Sequence, residues 1–212
     1  IENERGSDFF FVEDDDPEHA ASQIVDLVKT RLPKFCRVNP VEIQVLTPMQ
    51  KGIIGATNLN IALQAALNSN EECLRRSGIA FRRDDKVMQI KNNYDKGVFN
   101  GDIGVISSLD IENRQLTVNF EERLIEYEVS DLDELVLAYA TTIHKSQGSE
   151  YPIVVIPIMM THYVMLQRNL IYTGITRAKK LLVLVGSRKA LKYAVRNVTV
   201  TKRNTKLKDR LQ

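Results

Sequence analysis

The sequence predicts an α/β fold interrupted by a small all-β insertion. Three observations carry this expectation. Short apolar runs alternate with amphipathic helical stretches toward both ends of the chain. From about residue 81 to 136 the apolar spacing changes to strict alternation, punctuated by turn residues. Polar, glycine-containing loops follow apolar runs, the position at which α/β folds place ligands.

Composition sets the limits. The chain has 212 residues, 43% of them hydrophobic, enough for one large domain carrying a smaller insertion. No apolar run approaches the roughly 18–20 residues of a membrane span, so no membrane partner is expected. The start is acidic rather than basic and apolar, unlike a signal peptide. It begins at Ile1 instead of Met, which suggests a fragment of a longer protein. Cys36 and Cys73 are isolated and lack metal-ligand spacing; they read as reduced thiols of a cytoplasmic protein, and no metal site is expected. The net charge of +2 is unevenly spread: nine Lys or Arg stand against one acid from 188 to 212, which leaves 20 basic and 26 acidic residues before it. The tail at 201–212 reads either as a basic segment that tracks phosphates or as a solvated end.

The elements follow in order. Residues 9–12 form a short strand or edge segment. Asp16-Pro17 is an N-cap followed by proline at the first helical position, and Ala21, Ile24, Val25, Val28 and Leu32 recur at helical spacing until Pro33 ends the helix. His19 is a surface residue of its first turn. Residues 41–46 form a buried strand that runs into Thr47-Pro48-Met49-Gln50-Lys51-Gly52 and Gly55. A helix follows with Leu59, Ala62, Leu63, Ala66 and Leu67 on one face, Thr57 or Asn58 as its N-cap and Asn68 as its stop. Short strands are then expected at 86–90, 103–106, 116–120 and 125–129. Leu116, Val118 and Phe120 face one way and Thr117 and Asn119 the other, and the set describes an SH3-type barrel. Asn92, Asn93 and Tyr94, in its first long loop, suit hydrogen bonding and stacking on a nucleotide.

The stretch at 140–151, Ala-Thr-Thr-Ile-His-Lys-Ser-Gln-Gly-Ser-Glu-Tyr, reads as a loop between the apolar runs 135–137 and 153–158. Its hydroxyls, Lys145 and backbone N–H groups suit phosphate oxygens, and Glu150 suits a sugar hydroxyl. After a strand at 153–158, a helix carries Leu166, Leu170, Thr173 and Arg177, with Gly174 permitting close approach. His162, just past that strand, reads as a loop cap. A strand at 181–185, a turn at Gly186-Ser187 and a helix at 188–196 complete the chain.

Three of these stretches closely resemble motifs IV, V and VI of superfamily 1 helicases: Thr47 to Gly52, Thr141 to Glu150 and Leu170 to Ala178. The Thr-Ile-His-Lys-Ser-Gln-Gly form, with a compact β insertion ahead of it, resembles the RecD branch, the alpha subunit of exodeoxyribonuclease V and its stand-alone relatives. That resemblance implies a second RecA-like motor domain, of the UvrD-like C-terminal kind, at 1–80 and 137–200, with an SH3-like barrel inserted at 81–136. It implies ATP with Mg²⁺ in a cleft shared with an N-terminal RecA-like domain, which supplies the P-loop. No G-x-x-x-x-G-K-[ST] occurs here, so the chain alone is expected to be inactive. By the same resemblance, Arg177 reaches the γ-phosphate, and Lys51, Gln147, Gly148, Glu150 and Thr176 belong to the nucleotide side. Asn92, Asn93, Thr141, Thr142, His144, Lys145 and Ser146 belong to single-stranded DNA. Other exodeoxyribonuclease V subunits are implied partners, and translocation 5′ to 3′ in DNA recombination and repair is the implied task. Two alternatives stay open: a non-catalytic module that binds single strands or docks a partner, and a helicase domain of the Pif1 or relaxase type.

Overall fold

Residues 6–198 are described by a computed structural model; the basic tail at 201–212 lies outside them. The chain order is β1 (Phe9–Glu13), α1 (Pro17–Asp26), a π-helical turn (Leu27–Arg31), α2 (Leu32–Cys36), β2 (Ile43–Thr47), α3 (Ala56–Leu67), β3 (Leu74–Arg76), β4 (Ile79–Phe81), β5 (Lys86–Gln89), β6 (Ile103–Asp110), β7 (Gln115–Phe120), β8 (Arg123–Glu128), β9 (Leu135–Leu137), β10 (Ala140–Thr142), β11 (Tyr151–Ile158), α4 (Arg168–Ile175), β12 (Ala178–Gly186) and α5 (Arg188–Arg196).

A parallel sheet in the order β1-β12-β11-β2-β10 forms the larger layer. Its central strands are nearly continuous apolar runs because both faces are covered. Side chains alternate between those faces. Ile153, Val155, Leu181 and Val183 pack with α1 and α3, through Ile24, Leu59 and Leu63. Val154, Ile156, Leu182 and Leu184 pack with α4 and α5, through Leu170, Ile171, Ala190 and Ala194.

The first helical stretch departs from expectation. Asp16 caps it by accepting from the backbone N–H groups of Glu18 and His19, but Pro33 does not end it. The chain widens at Leu27–Arg31, where the Leu32 N–H donates five residues back to the Leu27 carbonyl. That wide turn relieves the clash between a proline ring and the preceding turn. The helix then runs on to Cys36 and closes at Arg37 in the left-handed region. The N-cap of α3 is Gly55, two residues ahead of Thr57 and three ahead of Asn58, and no side chain caps the helix. The carbonyls of Met49 and Gln50 accept from the N–H groups of Ala56 and Thr57 instead.

The insertion is an antiparallel sheet in the order β8-β7-β6-β5-β9. Ahead of it stands a hairpin that the sequence reading missed, β3 and β4, turned by Ser77 and Gly78, both at positive φ. The run at 135–137 pairs with β5 in this smaller sheet, and after two intervening residues the chain enters the parallel sheet as β10. Buried polar groups bind the two sheets together. The Asp85 carboxylate accepts from Gln64, Asn68, the Arg82 backbone and the Tyr139 hydroxyl, at 2.6–2.9 Å. Lys86, on β5, donates to the Val41 carbonyl at 2.8 Å. Asn60, on α3, both donates to the Ala140 carbonyl and accepts from its N–H, acting as an extra strand partner for the edge strand β10.

Candidate functional site

Ala140–Thr142 is a strand, so the stretch at 140–151 is a loop only from Ile143 onward. The loop leaves the C-terminal end of β10 and returns to the opposite end of the sheet to start β11. Tight turns carry it: the Lys145 and Ser146 N–H groups donate to the Thr142 carbonyl, and that of Ser149 donates to the Ser146 carbonyl. Gly148 sits at φ +89°, a conformation that a side chain would strain. Ile143 is fully buried beneath it. Gly174 of α4 packs there, since a Cβ at that position would lie 3.0 Å from Ile156 and 3.2 Å from Ile143. The missing side chain seats the end of α4 directly on the loop.

Arg177 lies just past α4, not within a helix, because α4 ends at Ile175. Its carbonyl accepts from the Tyr151 N–H at 2.8 Å, which places it between the N-terminal ends of β11 and β12. The half-buried guanidinium donates to the Thr173 carbonyl (3.2 Å), the Ser149 carbonyl (3.0 Å) and the Thr176 hydroxyl (3.2 Å). Arg177 is thus tied to the 148–150 turn, with two of its five N–H donors uncommitted to these bonds. Glu150 pairs with Lys179 at 3.0 Å, both about half exposed. The sequence reading did not single out Lys179; its one signal was its place two residues after Arg177. Thr176 is exposed, and its hydroxyl donates to the Thr173 carbonyl and accepts from Arg177.

The residues expected on the DNA side separate into two sets. His144 and Lys145 are exposed and Thr142 is half-buried. Thr141 and Ser146 are buried, which corrects their assignment. The Ser146 hydroxyl donates to the Ile143 carbonyl at 2.8 Å to hold the turn, and the Thr141 hydroxyl points into the protein without a partner. Asn92 and Asn93 mainly build their own loop. The Asn92 side-chain oxygen accepts from the Asn100 N–H, and Asn93 accepts from the Lys96 N–H while donating to Glu134. Beside them Tyr94 and Phe99 form an exposed edge-to-face pair.

Lys51 is exposed on the loop between β2 and α3. Its neighbour Gln50 lines a cleft with Thr142 and Lys145, so this loop borders the His144 side of the motif rather than the Arg177 side. Gln147 is exposed and lines a small hollow with His144 and Thr173. The 148–150 turn and Lys179 border a different cleft, whose other wall is the insertion, through Asp102, Glu121 and Arg123. Among the described residues no group of three or more His, Cys, Asp or Glu side chains could hold a metal ion. No helix among them is long and apolar enough to cross a membrane.

The chain thus combines a parallel sheet, a polar loop before β11, an arginine before β12 and a β insertion between α3 and β10. A profile described as UvrD-like helicase C-terminal domain matches residues 137–185, and one described as ATP-dependent RecD-like DNA helicase SH3 domain matches 59–120. The chain belongs to the RecD-like helicase family. It is 39% identical over 173 residues to the ATP-dependent RecD2 DNA helicase of Deinococcus radiodurans, covering 82% of this chain and 24% of that protein. It is 30% identical to the RecBCD enzyme subunit RecD of Haemophilus influenzae, covering 73% of this chain and 23% of that protein. The chain therefore spans about a quarter of the length of these relatives. In fold it resembles a Pif1 helicase from Bacteroides solved with ADP-AlF3 and single-stranded DNA, at a TM-score of 0.55 and 17% identity over 89% of this chain and 48% of that one.

Proposed function

We propose that the chain is the C-terminal motor half of an ATP-dependent DNA helicase, which couples ATP hydrolysis to translocation along single-stranded DNA and duplex unwinding. By family analogy it moves 5′ to 3′ in recombination and repair in the cytoplasm, and exodeoxyribonuclease V subunits are candidate partners. Its motor domain occupies 1–80 and 137–200, around an SH3-like insertion at 81–136. ATP and Mg²⁺ are shared with an N-terminal RecA-like domain, which supplies the metal and phosphate cradle.

The observation that carries this reading is the bond from Arg177 to the Ser149 carbonyl. It places a fixed cation beside a glycine turn and the Glu150 carboxylate, a donor set that fits a nucleoside triphosphate. Bound ATP presents developing negative charge on the transferring phosphoryl group, which an arginine stabilises. Arg177 supplies that charge with its uncommitted N–H donors, Glu150 accepts from the ribose, and Gly148 leaves room for close approach. Gln147 stands between this set and the half-buried Thr142 and exposed His144 and Lys145, which bind phosphates of the single strand without reading sequence. Lys51 adds a point charge on the same border.

The test is ATPase turnover of the full-length protein with Arg177→Ala. A fall of about 10³-fold or more is expected for an arginine finger. Turnover near wild type in a folded variant refutes the role. DNA binding that is indifferent to ATP in the full-length protein would favour a non-catalytic binding module.

A further inference from the structure

The largest feature bordering the exposed side of the motif loop is a cleft of about 490 Å³ between α3, the β3–β4 hairpin and strands β5, β9 and β10. That volume falls within the ~300–1,000 Å³ range of small-ligand sites. Ile61 forms one wall and is 61% exposed, leaving its side chain open to a ligand. Ile79 stands on the hairpin opposite, and Met88 and Val136 contribute further apolar lining. Polar side chains also line it, among them Gln50, Asn60 and Gln64, and the rim carries Thr142 and the cation Lys145. Among the described residues the Lys145 ammonium has no ion-pair partner.

The walls are fixed in advance. Arg76 donates twice to Asp133, at 2.9 and 2.6 Å, and the Ser77 hydroxyl donates to the same carboxylate at 2.6 Å, which bolts the hairpin to the insertion. Gln64 donates to the Ala80 carbonyl at 2.8 Å and to Asp85, which ties the hairpin to α3. A preformed slot between aliphatic walls loses little entropy on binding a flat ring. Its cationic rim matches a phosphate beside that ring. Nucleotides combine these two chemistries.

We propose that this cleft holds one unstacked nucleobase of the tracked strand, sandwiched between Ile61 and the β3–β4 hairpin, with the adjoining phosphate at Lys145 and Thr142. The proposal rests on the single-strand reading above and adds a base-holding subsite to a track otherwise made of phosphate contacts. The lining amides are already engaged, Gln50 with Thr57, Asn60 with the Ala140 backbone and Gln64 with Ala80 and Asp85, so the pocket accepts any base and rejects the absence of one.

The test uses the full-length protein and fluorescein-labelled dT oligonucleotides, either intact or carrying one abasic residue moved stepwise along the footprint. At one position the abasic residue should lower affinity about fivefold, the low end of what a stacked base contributes. Ile61→Trp, at an exposed helical position that tolerates the change, fills the slot and should abolish that dependence. Lys145→Ala should weaken intact and abasic strands alike and lower the salt slope by roughly 0.7. An abasic scan without a sensitive position, or Ile61→Trp that leaves the sensitivity in place, overturns the base pocket. If Lys145→Ala still weakens binding in that case, the phosphate track survives. If Lys145→Ala is also without effect, both readings fall.

Discussion

Lys86 offers a direct test of how the insertion is joined to the motor sheet. Its side chain is buried between the two sheets, donates to the Val41 carbonyl at 2.8 Å and to the Ile43 carbonyl at 3.4 Å, and has no carboxylate partner among its hydrogen bonds. Burial lowers its pKa from 10.5 to about 7. Between those values the unfolded chain holds a proton that the folded chain has released, so stability rises as pH climbs from about 7 toward 10.5. Below the folded value both states are charged, and the cost of burying the ammonium is fully present. The fall in pKa corresponds to at most about 5 kcal/mol over the whole window, or ~1.4 kcal/mol per pH unit. Lys86→Met keeps the volume and removes the charge. It loses the bond to Val41, which costs on the order of 1–3 kcal/mol if the carbonyl is left unpaired. Urea unfolding of both proteins at pH 6 to 10 is the assay. Wild type should gain stability relative to Lys86→Met as pH rises. Parallel curves would refute the reasoning, because they would mean that the two carbonyls hold the ammonium charged throughout.

Three further expectations follow from local geometry. His162 is buried with its Nδ1 unpartnered, and burial pushes its pKa down to about 4. The unfolded chain therefore takes up a proton first, and up to ~3 kcal/mol of stability is lost as pH falls from about 6.5 to 4. His162→Leu should flatten that limb of an acid titration, and an unchanged limb assigns it to other groups. Gly186 sits at φ +144°, where a Cβ would lie 2.1 Å from the Ile158 carbonyl oxygen. Gly186→Ala should cost roughly 3 kcal/mol or more, because backbone cannot swing aside; a melting temperature near wild type would contradict this. Thr141→Val removes a buried hydroxyl without a partner and should stabilise by about 1 kcal/mol, whereas a loss in thermal denaturation would reveal a hydrogen bond there.

The parts of the fold that were legible in the sequence were those fixed by period and punctuation. Alternation located β7 and β8 because one face of each is buried, and Asp16-Pro17 located the start of α1 because the cap satisfies orphan N–H groups. Proline gave the wrong stop at Pro33, since a wide turn absorbed its clash and helix propensity does not foresee that remedy. β10 was hidden because a three-residue edge strand of Ala and Thr has no apolar period. The site followed the same pattern. Residue types marked the two motif loops, but not which side chains turn inward. Ser146 and Thr141 carry the same hydroxyl chemistry as Thr142, and only the turn after β10 and the pleat of the strand decide which of them reaches solvent.

One buried cluster extends from Ile24, Leu59 and Leu63 of the α/β layer through Phe81 and Val87 to Phe120 and Tyr127 inside the insertion. The inserted sheet therefore has no separate interior of its own. Cutting it out and closing the chain with a short linker would strip the covering from α3 and the parallel sheet, while the excised piece would lose its floor. The two sheets should melt in a single calorimetric transition, and graft experiments that treat the insertion as a portable cassette should yield insoluble halves.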